Sequence, residues 1–449
     1  MPDNNSLHMQ PITQKSQMVD WLSGQAKPPS QWRIGTEHEK FLFHKQGNQP
    51  VGYEGARGIE TILNRLQAEY QMAPIMEKGQ IIGLKDNQGG SITLEPGGQL
   101  ELSGAPLENL HQTCKETGTH LKQMKHVISD LDIGMLGVGF QPVWGRDDIS
   151  WMPKGRYKIM RDYLPQRGKL AHYMMKGTTS VQCNYDFEHE EDCSKKVQLC
   201  SGMAPITTAI FANSPLYKNK PTSYISFRGH IWTKTDPDRC GFPPGLRDDY
   251  SHEKWVDYLL DVPMMFIHRD EWLYANGRTF REFMTTGIDG HMATWEDWDL
   301  HMTSVFPEVR IKKTIEVRGA DCVSHDLAIA FCALFTGLLY DATALDKGLE
   351  VVHRFTSLSD RNQRFDIACR DGLQGKIEGK KIVDFAEHEN VNVYRGSLKD
   401  VASRALDSCL KFNLDKFVRI CGDRPFFSPK LISDLIELSN NSNFEIITT

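Results

Sequence analysis

The chain has 449 residues, with 52 Lys and Arg against 58 Asp and Glu, a formal charge of −6. Hydrophobic residues make up 40% and charged residues 24%, which excludes a disordered, collagen-like or small disulfide-stapled chain. The mild acidity argues against nucleic acid as a partner, because a phosphate backbone calls for a basic face.

Met1 to Gln10 is polar and lacks the basic-then-apolar pattern of a signal peptide. A short helix is expected over 12–25, a linker at Lys27–Ser30, a strand over 32–43 and a helix over 57–71. In that helix Ile59, Ile62, Leu63 and Leu66 share one side. Asp86–Gly90 reads as a turn between strands 80–85 and 91–95, and 98–103 as a further strand. Leu107, Leu110, Cys114, Thr117, Leu121, Met124, Ile128 and Leu131 recur at steps of three and four. They predict a long helix with one buried stripe, packed on a sheet. Further helices are expected near 154–164, 190–212, 279–286, 293–305 and 324–343, and the last hundred residues read mainly helical. The apolar run Leu327–Tyr340 spans 14 residues, short of the roughly 20 that cross a bilayer. It predicts a buried core helix and no membrane association. Strands mixed irregularly with helices indicate an α+β fold. The ten cysteines contain no C-x-x-C pair, which predicts free thiols in a reducing cytoplasm.

The usual nucleotide and protease signatures are missing. The chain has no G-x-x-x-x-G-K-[ST], G-x-S-x-G or H-E-x-x-H. What stands out is the polar face of each expected strand, since residues i and i+2 share a face. Glu37 pairs with Glu39, Thr93 with Glu95, and Gln99 with Glu101. Over Val309–Arg318 one face carries Arg310, Lys312, Thr314, Glu316 and Arg318. Segment 180–187 presents Ser180, Gln182, Asn184 and Asp186, and segment 225–231 presents Ser226, Arg228 and His230. Any one of these is ordinary for the wet side of an antiparallel sheet. Together they separate carboxylates onto some strands and guanidinium groups onto others. Grouped carboxylates suit magnesium, and arginines opposite suit phosphate or carboxylate forks. That combination points to metal-assisted phosphoryl transfer onto an acidic substrate.

Several strings carry a family resemblance. They include Arg33-Ile34-Gly35-Thr36-Glu37-His38-Glu39-Lys40, Leu94-Glu95-Pro96-Gly97-Gly98-Gln99-Leu100-Glu101-Leu102-Ser103-Gly104 and Met152-Pro153-Lys154-Gly155-Arg156-Tyr157. Phe306-Pro307-Glu308-Val309-Arg310 and Glu316-Val317-Arg318-Gly319-Ala320-Asp321 follow in order. The chain resembles glutamate–cysteine ligase of the plant and proteobacterial type over about 10–345. The resemblance implies a glutamine-synthetase-like fold, a curved antiparallel sheet forming a funnel backed by helices. It implies one catalytic domain over 1–449, with 345–449 as a mainly helical C-terminal part. The implied reaction is ATP-dependent joining of the glutamate γ-carboxyl to the cysteine amine through a γ-glutamyl phosphate. The competing readings are a carboxylate–amine ligase with another amine acceptor and an inactive ATP-binding regulatory homologue.

By the same resemblance Glu37, Glu39, Glu95, Glu101 and Glu316 are expected to ligate two or three Mg2+ ions. Arg318 and Glu316 are the expected catalytic residues, Arg228 and Tyr157 the substrate contacts, and Gln182, Asn184 and Lys312 the contacts to ATP. The partners implied are glutamate, cysteine and ATP, for a cytoplasmic monomer or homodimer. Two departures stand out. Lys176-Gly177-Thr178-Thr179-Ser180-Val181-Gln182 begins with lysine where the family commonly has arginine. Cys114 matches one position of a plant redox disulfide, but the partner position holds Ile329, with Cys332 three residues on.

Overall fold

A computed structural model describes residues 10–246, 249–353, 358–377 and 380–381. Chain contacts divide it into a unit spanning Met1–Gly372 and a second spanning Leu373–Thr449. Among the described residues the first unit is built on ten strands. These are β1 Ile34–His44, β2 Gln49–Pro50, β3 Ala73–Glu77, β4 Gln80–Lys85, β5 Ser91–Leu94, β6 Leu100–Ser103, β7 Ile133–Leu136, β8 Ser180–Tyr185, β9 Val309–Ile311 and β10 Ile315–Asp321. Their order is β9-β10-β8-β1-β6-β5-β4-β3, with β2 and β7 paired to the far end of β1. All of these pairings are antiparallel. The expected α+β class, a large antiparallel sheet backed by helices, is what forms.

The helices are α1 Lys15–Ser23, α2 Ile59–Tyr70, α3 Leu110–Val127, α4 Gly155–Arg167, α5 Ala171–Gly177, α6 Glu190–Ile210 and α7 Phe227–Trp232. They continue as α8 His252–Asp261, α9 Phe280–Thr286, α10 Trp295–Thr303, α11 His325–Tyr340, α12 Ala342–Val352 and α13 Leu358–Asp371. The stripe Ile59, Ile62, Leu63 and Leu66 is fully buried, and each such side chain contributes about 1.5–3 kcal/mol. It joins a core with Ile81, Leu84, Ile92, Leu94 and Leu100. A second core packs Val181, Cys183, Tyr185, Val309, Ile311, Ile315 and Val317 against Phe331, Cys332 and Phe335 of α11. The apolar run Leu327–Tyr340 is thus the interior helix that its length implied. Among the described residues no single helix is long and apolar enough to cross a membrane.

Three local expectations are corrected. Residues 225–231 form no strand. Ser226 accepts from Gly229 N at 3.1 Å and so caps α7; this local hydrogen bond outweighs the apparent alternation. The run 309–318 is two strands, with Lys312 N donating to Thr314 O at 3.0 Å across the turn between them. The long helix is shorter and rotated. Asn109 caps it, and Thr113, Thr117, His120, Met124 and Val127 are its buried residues. Its inner side meets the polar back of β1, where Thr36 and His38 are buried, so polar side chains face inward. The expected helical C-terminal part begins with α12 and α13; residues 382–449 lie outside the described residues.

Candidate active site

Alternation along β1 sends Glu37 and Glu39 to one face of the sheet, and antiparallel register extends that face sideways. Glu39 stands opposite Glu101, which stands opposite Thr93. Glu37 is flanked by Ser103 on β6 and Gln182 on β8. Asn184 lies between Gly35 and Glu316, and Glu316 stands opposite Arg310. The register of β10 on β8 shifts between Val317 and Ala320, a bulge that brings Arg318 against Gln182. One face therefore runs from carboxylates on β6 and β1 to guanidinium groups on β9 and β10.

This face lines a cavity of about 300 Å³, completed by Arg156 and Tyr157 of α4 and Arg228 and Trp232 of α7. Glu37, Glu39, Glu95, Glu101, Tyr157, Gln182, Arg228, Lys312 and Arg318 all line it. Asn184 and Glu316 touch the lining instead. Asn184 Nδ2 donates to Glu37 Oε1 at 3.0 Å, while its Oδ1 accepts from Thr314 Oγ1 at 3.0 Å. Glu316, with no exposed surface, takes Arg310 Nε and Nη2 at 2.8 Å each, Lys312 Nζ at 3.3 Å and Arg318 Nη1. A larger cavity of about 1280 Å³ is lined in part by Asp236, Asp238, Asp257 and Asp261. Each of those carboxylates is matched by an arginine or lysine, so size does not choose the site.

The two halves of the face differ electrostatically. Burial, then the charges of Glu316 and Glu101, pushes the Glu37 carboxyl up to about 7. Burial and Glu95 push Glu101 up to about 7, and burial with Glu101 and Glu95 holds Glu39 well above the usual range. At Glu316 burial also acts upward, but Arg310, Lys312 and Arg318 outweigh it and hold the carboxyl well below that range. Raised acids bind protons in the folded chain that the unfolded chain has released. The contribution of Glu37, Glu39 and Glu101 to the stability of the metal-free protein should therefore fall as pH rises from the ordinary carboxylate range, about 4.3, to 7. The buried His38, His120 and His301, held below their usual range, act in the opposite sense. Thermal melts of wild type and Glu101→Gln in a chelator across that interval check this: the variant's advantage should grow with pH, and a constant difference contradicts it.

Buried oxygen donors with uncompensated negative charge have the donor chemistry of a hard divalent cation. Among the described residues no three His, Cys, Asp or Glu groups already stand at metal-ligating spacing. The fit therefore rests on the donors' charge and chemistry and not on a preformed cage.

Residues 33–401 match the family model described as glutamate–cysteine ligase family 2. The chain belongs to that family. Glutamate–cysteine ligase B, chloroplastic, of Oryza sativa subsp. japonica is 45% identical over 382 residues, covering 84% of this chain and 74% of the relative. The chloroplastic glutamate–cysteine ligase of Arabidopsis thaliana is 44% identical over 352 residues, covering 77% and 66%. Among solved structures, glutamate–cysteine ligase from Francisella tularensis in complex with AMP covers 91% of this chain and 98% of its own. Its identity of 14% and TM-score of 0.39 support no residue assignment. The chloroplastic relatives overturn the expectation of a cytoplasmic enzyme. Free thiols report a reducing compartment without saying which one.

The cavity also contains Arg310 and Arg156, which the expected site residues did not include. Arg310 binds Glu316 with two nitrogens, a pairing signalled by their alternation on adjoining strands. Arg156 lies beside the chosen Tyr157, and its Nε has no protein partner. Arg228 donates from Nη2 to Arg318 O at 2.9 Å, while its Nε is also unpartnered. Arg228 was expected here, though through a strand alternation that its helix does not have, whereas no strand alternation points to Arg156 on α4. Tyr157 donates to Leu94 O at 2.6 Å, which ties α4 to the strand preceding Glu95. Lys176, where the family commonly has arginine, is buried with its ammonium 4.9 Å from the Trp151 ring centre and is not in the cavity lining. Cys114 and Cys332 are both free thiols, and no disulfide occurs among the described residues.

Proposed function

We infer that this chain joins the γ-carboxyl of L-glutamate to the amine of L-cysteine at the expense of ATP, the first step of glutathione synthesis. Family membership supports the reaction. The observation that carries the mechanism is the single face passing from carboxylates to guanidinium groups.

A carboxylate is a poor acyl donor, because its own charge repels a nucleophile. Transfer of the ATP γ-phosphoryl group to a γ-carboxylate oxygen gives an acyl phosphate and ADP. The cysteine nitrogen then attacks the acyl carbon, loses a proton and expels phosphate. Glu37, Glu39, Glu95 and Glu101 would hold Mg2+, whose positive charge would offset that of the triphosphate and the transferring group; Glu316, expected in the same set, is already paired with Arg310, Lys312 and Arg318. Arg318, steadied by Gln182 and Glu316, stabilises negative charge on the phosphoryl oxygens. Glu316 is neutralised by three cations and anchors Arg310, Lys312 and Arg318. Arg228 and Arg156 offer free Nε–H groups to substrate carboxylates. Tyr157 fixes the wall beside Glu95, Lys312 contacts ATP at the basic edge, and Asn184 orients Glu37.

The test is phosphate release from ATP in the presence of glutamate and magnesium, comparing cysteine with other amines. Cysteine should be preferred at least tenfold in kcat/KM over serine and glycine. Equal use of several amines would assign a different acceptor. Tight binding of ATP without turnover would make the chain a binding homologue.

A further inference from the structure

A second cavity, about 630 Å³, lies behind the sheet, within the size range of small-molecule sites. Its floor is Ile92 of β5 and Leu102 of β6. On the same two strands the alternate residues Thr93, Glu101 and Ser103 line the catalytic cavity, so the two cavities share strands back to back. The wall is α3, which contributes Gln112, Lys115, Glu116, Thr119, His120 and Gln123. Asn87 and Gln88 from the β4–β5 turn face them.

Two polar groups at the buried side lack protein partners. His120 is 7% exposed, and its Nδ1 has no hydrogen bond. Glu116, one helical turn earlier, accepts from Ala105 N at 2.8 Å through Oε1, but its Oε2 has no partner. Buried polar atoms are normally satisfied, and leaving one open costs folding free energy. The catalytic residues make no use of either group.

We propose that this cavity is a second ligand site for a small zwitterion, an amino acid or short peptide, coupled to the catalytic face through β5 and β6. The ligand's ammonium pairs with Glu116, its carboxylate with the exposed Lys115, and its amide or side chain with Asn87, Gln112 and Gln123. His120 supplies the remaining ring contact. A phosphorylated ligand is disfavoured, because one lysine among Asp86 and Glu116 leaves the cavity without net positive charge. Occupation presses on Leu102, and Glu101 is its neighbour on the same strand.

Calorimetric titration of the full chain at pH 8 with L-glutamate, L-cysteine and glycylglycine tests the proposal without relying on turnover. At least one probe should show a binding event that weakens tenfold or more in Glu116→Gln and in Thr119→Trp. The latter fills the cavity mouth from an exposed helix position and leaves the buried groups in place. The same event should persist in Arg228→Ala, which alters the catalytic cavity. In wild type the bound probe should change KM or kcat, and Thr119→Trp should abolish that change while keeping basal activity. Binding that survives Thr119→Trp, or that disappears only in Arg228→Ala, would overturn the second site. So would the absence of any binding by the three probes. Failure of the ligase reading would instead appear as absent turnover with the α3-sensitive event intact.

Discussion

Glu101→Gln is expected to lower kcat about 10²–10³-fold while making the metal-free protein more stable. Both effects follow from one property of the site. Glu101 stands opposite Glu39 and Thr93, and burial and Glu95 push its carboxyl up to about 7. At pH 8 the folded chain must hold that carboxylate ionised among like charges. An uncharged amide removes the penalty, and the gain is on the order of 1–2 kcal/mol once partial exposure is allowed for. Ser103 Oγ donates to Glu101 Oε1 at 2.6 Å, and the amide oxygen of glutamine accepts the same bond. Turnover and chelator melts on the same preparation check the pair. Unchanged kcat would remove Glu101 from the reaction, and a lower melting temperature would remove the charge repulsion. Added Mg2+ should stabilise wild type more than the variant, because only wild type retains the full set of carboxylates.

Glu316→Gln should lower activity comparably, but with the opposite effect on stability. Its carboxylate is fully buried and binds Arg310 with two nitrogens, alongside Lys312 and Arg318. Removing one partner of such a buried ion pair leaves cations unpaired and costs about 3–5 kcal/mol. The melting temperature should drop, and Arg318 should lose its placement against Gln182. Glu316→Asp, which keeps the charge on a shorter arm, should recover part of the stability and little of the turnover. A Glu316→Gln protein as stable as wild type would contradict the anchoring role. Glutamates on neighbouring strands thus differ in whether their charge is already balanced by protein.

The strand residues were legible because alternation is a local property. Glu37 with Glu39, and Glu316 with Arg318, share a face in any extended chain. Register was not local. Only the antiparallel pairings set Glu39 against Glu101 and Glu316 against Arg310, and only the bulge in β10 brought Arg318 to Gln182. The alternating pattern misled at 225–231, where Ser226 and Gly229 start a helix. Arg228 still reaches the cavity, from α7 and not from the sheet. The buried side of α3 was misjudged for a related reason. Hydrophobic spacing locates an apolar stripe, whereas α3 packs its polar residues on the polar back of β1.

The sequence alone determined the α+β class, the apolar core helix, the family resemblance and most of the polar side chains that line the cavity. These depend on residue type and short-range spacing, which a single chain displays directly. Tertiary structure alone decided which charges offset one another. Glu316 is neutralised because three cations converge on it, while Glu37, Glu39 and Glu101 are left to repel one another. It also decided that β5 and β6 form walls of two cavities, one on each face. Both results depend on distances between segments remote along the chain, and electrostatic energy follows those distances and not the order of residues.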